Sequence, residues 1–344
     1  MVTKVAINGF GRIGRLLYRA ALETGTEIDF AVVNDLTDAN TLAFLLKHDT
    51  VHGPLPFDTE ARGDVIVIKK GGAVKQELKV LAQPDPAKLP WGDMGVYLAV
   101  ESTGRFRTKE AASKHLQAGA KKVLVSAPMS PATSADLTVV YGVNDDKYDP
   151  ARHHIVSLAS CTTNCVAPVA KVLNDKFGVK SGLMNTIHSV TNDQRLLDMQ
   201  HSDLRRARSA AFNVIPTTTG AAVAATLTVP ELAGRMNGLA LRVPTADVSI
   251  VDFTAQLNRD VTKEEVNAAF KEASAGKLKG IMDYTEKPVV SSDFVHNPYS
   301  AIVDGQSTMV IGGNLVKVLA WYDNEWGYSV KMVRMIEKIC RMAK

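Results

Sequence analysis

The 344-residue chain carries 40 Lys and Arg against 36 Asp and Glu, a net charge of +4, with 46% hydrophobic and 22% charged residues. It is long enough for two ordinary domains, holds no uncharged apolar run of membrane-spanning length, and has too small a basic excess for a nucleic-acid surface. Three cysteines without a secreted-scaffold spacing, and a first strand with no signal-like segment before it, lead us to expect a cytoplasmic protein that engages neither membrane nor nucleic acid.

Val5–Asn8 is a short apolar run that ends in Gly9-Phe10-Gly11-Arg12-Ile13-Gly14, and residues 15–22 have helical spacing. The motif G-x-G-x-x-G between a strand and a helix brings backbone N–H groups and a helix N-terminus to a pyrophosphate. A second apolar strand, 28–34, ends at Asp35. An acidic residue there bonds both ribose hydroxyls of an adenosine and repels a 2′-phosphate, which favours NAD over NADP. Asp38 is placed to cap a helix over Ala39–Lys47. Strands follow at 64–68 and 76–81, read as a hairpin around Gly71-Gly72, and then at 96–101, 122–125 and 138–141, with a helix at 109–118. Strands alternating with helices imply a parallel, doubly wound sheet, with Ser102, Thr103 and Ser126 at strand ends where a cofactor groove lies.

A β-prone run at 154–157 leads into Ser160-Cys161-Thr162-Thr163-Asn164-Cys165 and a helix over 161–177. Cys161 stands at that helix's N-terminus, where unpaired N–H groups and the dipole favour a thiolate, the nucleophilic form. Its polar neighbours make a poor dry core and a good cradle for a small polar substrate. Cys165 points away from the helix mouth and reads as structural. The Cys161/Cys165 spacing also occurs in zinc sites, but no second Cys/His pair completes four ligands, so no metal is expected.

From residue 178 the segments lengthen and alternate, at 182–188, 238–243, 249–254, 308–311 and 316–322. They suit an antiparallel or mixed sheet covered on one side by helices at 161–177, 220–229 and 263–275, the last behind the capping box Thr262-Lys263-Glu264-Glu265. His188 closes a strand whose end can meet the start of the 161–177 helix, and a Cys/His pair makes a thiol reactive at neutral pH. An irregular segment with Thr191, Asp193, Arg195, Arg205, Arg206 and Arg208 follows. Thr217-Thr218-Thr219-Gly220 then opens a helix, and Arg242 lies in a strand. Hydroxyls, a helix N-terminus and arginines together are phosphate-binding groups; Arg205 and Arg208 read as solvated or subunit-facing charge.

With these residues in view, the chain resembles the phosphorylating glyceraldehyde-3-phosphate dehydrogenases of the type I, bacterial kind over essentially its whole length. Three motifs carry the resemblance: Asn8 to Arg15, Ala159 to Cys165, and Trp321-Tyr322-Asp323-Asn324-Glu325. It implies a Rossmann-type NAD-binding domain over 1–160, completed by a C-terminal helix in 325–344, and an α+β catalytic domain over 161–324. Cys161 would be the nucleophile and His188 its base. Thr191 and Arg242 would hold the substrate phosphate, and Ser160, Thr162, Arg206, Thr219 and Gly220 inorganic phosphate. NAD would lie on the Gly9–Gly11 turn with contacts from Arg12, Ile13, Asp35, Ser126 and Asn324, the last at the nicotinamide amide. The segment after His188 would reach a neighbour's cofactor in a homotetramer.

The reaction implied is oxidation of D-glyceraldehyde 3-phosphate, through a hemithioacetal and a thioester on Cys161, to 1,3-bisphosphoglycerate. Two departures stand out. After Asp198 many NAD-specific relatives have Leu-Pro, here Met199-Gln200, and Gln200 permits some NADP use; Pro84 stands where many relatives carry an arginine. The Thr191-Asn192-Asp193-Gln194 pattern favours the triose over erythrose 4-phosphate, the sister enzyme's substrate. A nucleotide-occupied thiol redox sensor is the alternative from another class, but it has no need of His188, Thr191 and the arginines.

Overall fold

The computed structural model describes residues 3–343; Met1, Val2 and Lys344, which end the segments 1–160 and 325–344, lie outside the described residues. The chain divides into two compact units: Met1–Val139 with Lys147–Ala159 and Ser329–Lys344, and Val140–Asp146 with Ser160–Tyr328.

The first unit is built on strands β1 (Lys4–Asn8), β2 (Asp29–Asn34), β3 (Asp58–Arg62), β4 (Val65–Lys70), β5 (Ala73–Leu81), β6 (Val96–Glu101), β7 (Lys122–Val125), β8 (Leu137–Thr138) and β9 (Ile155–Ser157). They form one sheet in the order β3-β4-β5-β2-β1-β6-β7-β9-β8. Pairing is parallel from β5 through β8, and antiparallel only where β3, β4 and β5 form hairpins, as expected for 65–81. Helix α1 (Arg12–Thr24) links β1 to β2, α2 (Ala39–Lys47) follows β2, and α3 (Lys109–Gln117) links β6 to β7. Asp38 caps α2 by accepting the Thr41 N–H at 3.0 Å. The central strands are apolar without alternation, and Val5, Ala6, Ile7, Leu98, Ala99 and Val100 are all buried, as in a parallel sheet covered on both faces. The chain runs outward from β1 on one side and restarts at β6 on the other. The C-terminal ends of β1 and β6, with Asn8 opposite Glu101, therefore flank the topological switch point, where doubly wound sheets bind ligands.

The second unit contains α4 (Cys161–Phe177), β10 (Val179–His188), β11 (Ile215–Thr218), α5 (Ala221–Thr228), β12 (Met236–Arg242), β13 (Ser249–Leu257), α6 (Lys263–Ala275), β14 (Met282–Thr285), β15 (Ala301–Ile311) and β16 (Leu315–Tyr322). Helix α7 (Trp326–Arg341) begins here, and its residues from Ser329 group with the first unit. The sheet order is β11-β12-β10-β13-β16-β15-β14, parallel at β10/β12 and β14/β15 and antiparallel elsewhere. Alternation decides its two faces. Val251, Phe253, Ala255, Val316, Val318 and Ala320 are buried under α4, α5 and α6, whereas Leu183 is 67% and Leu239 48% exposed on the opposite face. The capping box at Thr262 and Glu265 is formed as expected.

The fold class is the expected one, a doubly wound parallel sheet plus an α+β unit with a mixed sheet. Interior strand β15 begins at Ala301 where 308–311 was expected, and the other main differences lie at sheet edges. Strands β3, β11 and β14 were not expected, and β8 is shorter than the expected 138–141. Edge strands need only one apolar face, tolerate proline, as at Pro216 in β11, and carry charge, as in Asp58–Arg62.

Candidate active site

Cys161 is the first residue of α4. Ser160 caps the helix, its hydroxyl accepting the Thr163 N–H at 3.0 Å and bonding Thr163 Oγ1 at 2.8 Å. The helix is held by Val166, Ala167, Val169, Ala170 and Leu173, all buried against the sheet. Cys165 belongs to this core, and its thiol donates to the Ala320 carbonyl at 3.7 Å.

His188 ends β10 on the helix-covered face, in phase with the buried Met184 and Thr186. Its Nε2 lies 3.3 Å from Cys161 Sγ. Parallel pairing of β10 with β12 puts Arg242 directly opposite His188. Arg242 Nη1 stands 2.7 Å from His188 Nδ1 and 3.2 Å from the Ser189 carbonyl, and its Nε is buried without a hydrogen-bond partner. Tyr322, at the end of β16, meets the imidazole edge-on at a ring separation of 6.0 Å, and its hydroxyl bonds those of Thr162 and Thr186 at 2.8 Å each. Two residues on, Asn324 Oδ1 accepts from the Ser189 and Ser249 hydroxyls at 2.8 and 2.7 Å. The sequence reading assigned no role to Tyr322, Ser189 or Ser249. The period-two pattern of β16, which turns Tyr322 inward with Val316, Val318 and Ala320, was the available signal for the tyrosine.

Burial pushes the Cys161 thiol up, while the Arg242 guanidinium and the Thr162 hydroxyl and N–H pull it down. Burial and the Arg242 charge push His188 down to about 3. The two shifts point the same way, toward a neutral thiol beside a neutral imidazole, because packing strips hydration from the charged form of each group. This refines the expectation of a thiolate stabilised by the helix N-terminus. Donors converge on the sulfur, but desolvation outweighs them. The neighbours of Nδ1 ask for opposite tautomers, since the Ser189 carbonyl, 2.8 Å away, accepts a hydrogen and Arg242 only donates. With Nδ1–H on that carbonyl, Nε2 offers its lone pair to the thiol proton.

The residues expected to bind phosphate have partners of their own. The Thr162 hydroxyl turns inward to Tyr322 in a residue only 3% exposed, and that of Ser160 caps α4. Arg206 is ion-paired with Asp193 and 3.6 Å from Asp203, and its Nε donates to Thr217 Oγ1 at 2.9 Å. Against the upward push of burial, Arg206 and His201 hold the Asp193 carboxyl below its usual range. Thr191 opens a turn closed by Gln194, whose Oε1 accepts the Thr191 N–H at 3.2 Å. Gly220 precedes α5 without a side-chain cap, and the Thr219 hydroxyl accepts the Ala221 N–H at 3.2 Å.

In the first unit a cavity of about 300 Å³ is lined by Gly9, Gly11, Asp35, Pro84 and Thr103 among others. Three observations fit it to a dinucleotide. Gly9 has φ +92, and an added Cβ there would lie 2.7 Å from the Thr103 nitrogen; one at Gly14 would lie 2.1 Å from the Gly9 carbonyl; one at Gly11 would meet nothing within 4 Å. The turn is thus pressed against its own scaffold and left open on the cavity side. Helix α1 has neither a side-chain cap nor an acidic residue in its first turn, so the positive end of its dipole meets no protein carboxylate there. The Asp35 carboxylate is fixed by the Phe10 N–H at 2.8 Å and the Thr37 N–H at 3.2 Å. Ile13 lies in the first turn of α1, and Arg12 is paired with Asp49 at 3.1 Å. Ser126 follows β7, its N–H on the Glu101 carbonyl at 3.0 Å. Gln200 is exposed in the segment after His188, where its carbonyl accepts from Arg195 Nε at 3.1 Å. Replacing Asp35 by glycine removes the charge that opposes a 2′-phosphate, and the ratio of kcat/KM for NADP to that for NAD is expected to rise about tenfold or more. An unchanged ratio in steady-state assays would discard this account of selectivity.

Comparison with known proteins agrees with this geometry. The family model described as "Glyceraldehyde 3-phosphate dehydrogenase, NAD binding domain" matches residues 3–109, and that described as "Glyceraldehyde 3-phosphate dehydrogenase, C-terminal domain" matches residues 160–324. Glyceraldehyde-3-phosphate dehydrogenase of Geobacillus stearothermophilus is 56% identical over 333 residues, 97% of each chain. Glyceraldehyde-3-phosphate dehydrogenase 1 of Bacillus cereus is 58% identical over 332 residues, 96% of this chain and 97% of the relative. Glyceraldehyde-3-phosphate dehydrogenase 1 of Bacillus subtilis is 55% identical over 341 residues, 99% of each. With a Cys/His pair at the mouth of α4 and a dinucleotide turn at the switch point of the first sheet, this chain belongs to the glyceraldehyde-3-phosphate dehydrogenase family.

Proposed function

We propose that the protein catalyses the NAD-dependent oxidative phosphorylation of D-glyceraldehyde 3-phosphate to 1,3-bisphosphoglycerate, the glycolytic reaction of its family. The observation that carries the residue assignment is the 3.3 Å approach of Cys161 Sγ to His188 Nε2 beside Arg242. His188 takes the thiol proton as the sulfur bonds the aldehyde carbon. The imidazolium and the Cys161 backbone N–H then face the oxygen of the hemithioacetal. Bound NAD supplies the hydride acceptor. The imidazolium passes its proton to the hemithioacetal oxygen, giving the hydroxyl and a neutral His188; as the carbon is oxidised, His188 takes the hydroxyl proton back and a thioester remains on Cys161. An oxygen of inorganic phosphate attacks the thioester carbon, the C–S bond breaks, and the acyl phosphate leaves with the thiolate restored.

Arg242 and Thr191 bind the substrate phosphate in this reading. Burial and the Arg242 charge both stand against protonation of His188. A phosphate dianion on Arg242 offsets that charge, so the proton can pass to the imidazole once substrate is seated. Arg206 exchanges Asp193 for inorganic phosphate, assisted by Ser160, Thr162, Thr219 and Gly220. Gly9, Gly11, Arg12, Ile13, Asp35 and Ser126 hold NAD, with Asn324 at the nicotinamide amide, and Gln200 allows a minor use of NADP. Residues 1–160 with 325–344 serve as the cofactor domain and 161–324 as the catalytic domain.

The protein works in the cytoplasm as a homotetramer. Among the described residues no helix is long and apolar enough to cross a membrane. The exposed face of the second sheet, with Leu183 and Leu239, and the segment bearing Leu204 (81% exposed) and Phe212 (80%) supply apolar surface for subunit contacts. The test is nicotinamide reduction with glyceraldehyde 3-phosphate, with and without inorganic phosphate. Many turnovers that require phosphate are expected. A single stoichiometric burst, or equal rates without phosphate, would overturn the proposal, and erythrose 4-phosphate would be the next substrate offered.

A further inference from the structure

A row of buried polar side chains that the reaction does not use crosses the switch point of the first sheet. Trp91, His115, Glu101, Asn8 and Asn34 are all buried. Trp91 Nε1 lies 3.0 Å from His115 Nδ1, and an indole N–H can only donate. His115 Nδ1 therefore accepts, and its Nε2 carries the hydrogen that points at Glu101 Oε2, 3.0 Å away. From the other end, Asn34 faces the Gln83 backbone with both amide atoms, Nδ2 to the carbonyl at 2.9 Å and Oδ1 to the N–H at 2.8 Å. This fixes its orientation, so Asn34 Nδ2 donates to Asn8 Oδ1 at 2.7 Å and Asn8 Nδ2 donates to Glu101 Oε2 at 2.6 Å. The other carboxylate oxygen accepts the Thr103 N–H at 2.8 Å and its hydroxyl at 2.5 Å.

Both ends of the row thus aim donors at one carboxylate, whose four partners are all hydrogen donors. Asn8, Asn34, Gln83 and Thr103 line the same cavity as Gly9, whereas Glu101, His115 and Trp91 do not. We propose that Glu101 is a positioning residue for the dinucleotide pocket, holding Asn8, immediately before the Gly9 turn, and Thr103, against which that turn is pressed, at the spacing the cofactor needs. The inference rests on NAD as the cofactor and concerns the row that shapes its pocket.

In Glu101→Gln one side of the amide must present an NH2 to groups that themselves donate. If it faces Asn8 and His115, neither can turn without breaking the bond to Asn34 or to Trp91. If it faces Thr103, the hydroxyl can turn but the N–H cannot. Expected results are a rise of about tenfold or more in NAD Kd by calorimetry and in KM for NAD, with kcat at saturating NAD within about twofold of wild type and KM for the aldehyde unchanged. His115→Leu, outside the cavity, is expected to weaken NAD at least about threefold, and His115→Gln, whose amide accepts from Trp91 and donates to Glu101, to restore it.

A folded Glu101→Gln protein whose NAD Kd stays within twofold of wild type would overturn the inference. Should that variant not fold, the His115 pair decides, and equal NAD affinity in the leucine and glutamine variants would overturn it. A wild-type protein that binds no NAD would instead overturn the functional reading beneath it.

Discussion

Serine in place of Cys161 is expected to lower kcat by about 10⁴-fold or more while NAD Kd stays within about twofold. The replacement is nearly isosteric and the helix cap does not depend on the sulfur, since Ser160 bonds Thr163 and not residue 161. What changes is the chemistry. A serine hydroxyl surrenders its proton to His188 far less readily than a thiol, and an ester is a poorer target for phosphate than a thioester. The measurement pairs steady-state nicotinamide reduction with direct NAD binding. Residual turnover above about one per cent would place the nucleophile elsewhere. Cys165→Ala is the control, because its thiol lies in the core against the Ala320 carbonyl and touches no reacting group. Activity within about threefold of wild type is expected there, with some loss of stability.

The second large effect is expected at His188. Glutamine there keeps a polar side chain but no titratable nitrogen, and loss of a general acid and base typically lowers kcat about 10²–10⁴-fold. The electrostatics add a test with a definite sign. Arg242 opposes a positive charge on His188 and favours a negative one on Cys161, so both groups titrate lower than they would without it. In Arg242→Met both are expected to move up. Alkylation of Cys161 by iodoacetamide should then rise at higher pH than in wild type, and the acidic loss of His188 as a base should begin at higher pH. A profile unmoved by the substitution would remove Arg242 from the electrostatic account, whatever its part in binding phosphate.

The strands at sheet centres were legible because burial on both faces demands unbroken apolar runs, as in Val5-Ala6-Ile7 and Leu98-Ala99-Val100. Asp38 and the Thr262 box were legible because capping is local. The edges β3, β11 and β14 were not, since half-covered strands carry charge or proline without penalty. Arg206 illustrates a different loss. Its basic cluster was visible, but its pairing with Asp193 arises only when the segment after His188 folds back on itself.

The dinucleotide turn, the placement of Cys161 at a helix mouth, and the family follow from contiguous residues whose local geometry is strongly constrained. The tertiary structure alone decided which side chains meet. Parallel pairing of β10 with β12 set Arg242 against His188, 54 positions apart, and the phase of β16 brought Tyr322 to Thr162 from 160 positions away. It also decided the direction in which the thiol shifts. The helix N-terminus favours a thiolate in isolation, but the desolvation that outweighs it comes from packing α4 onto the second sheet, and no local stretch of sequence encodes that burial.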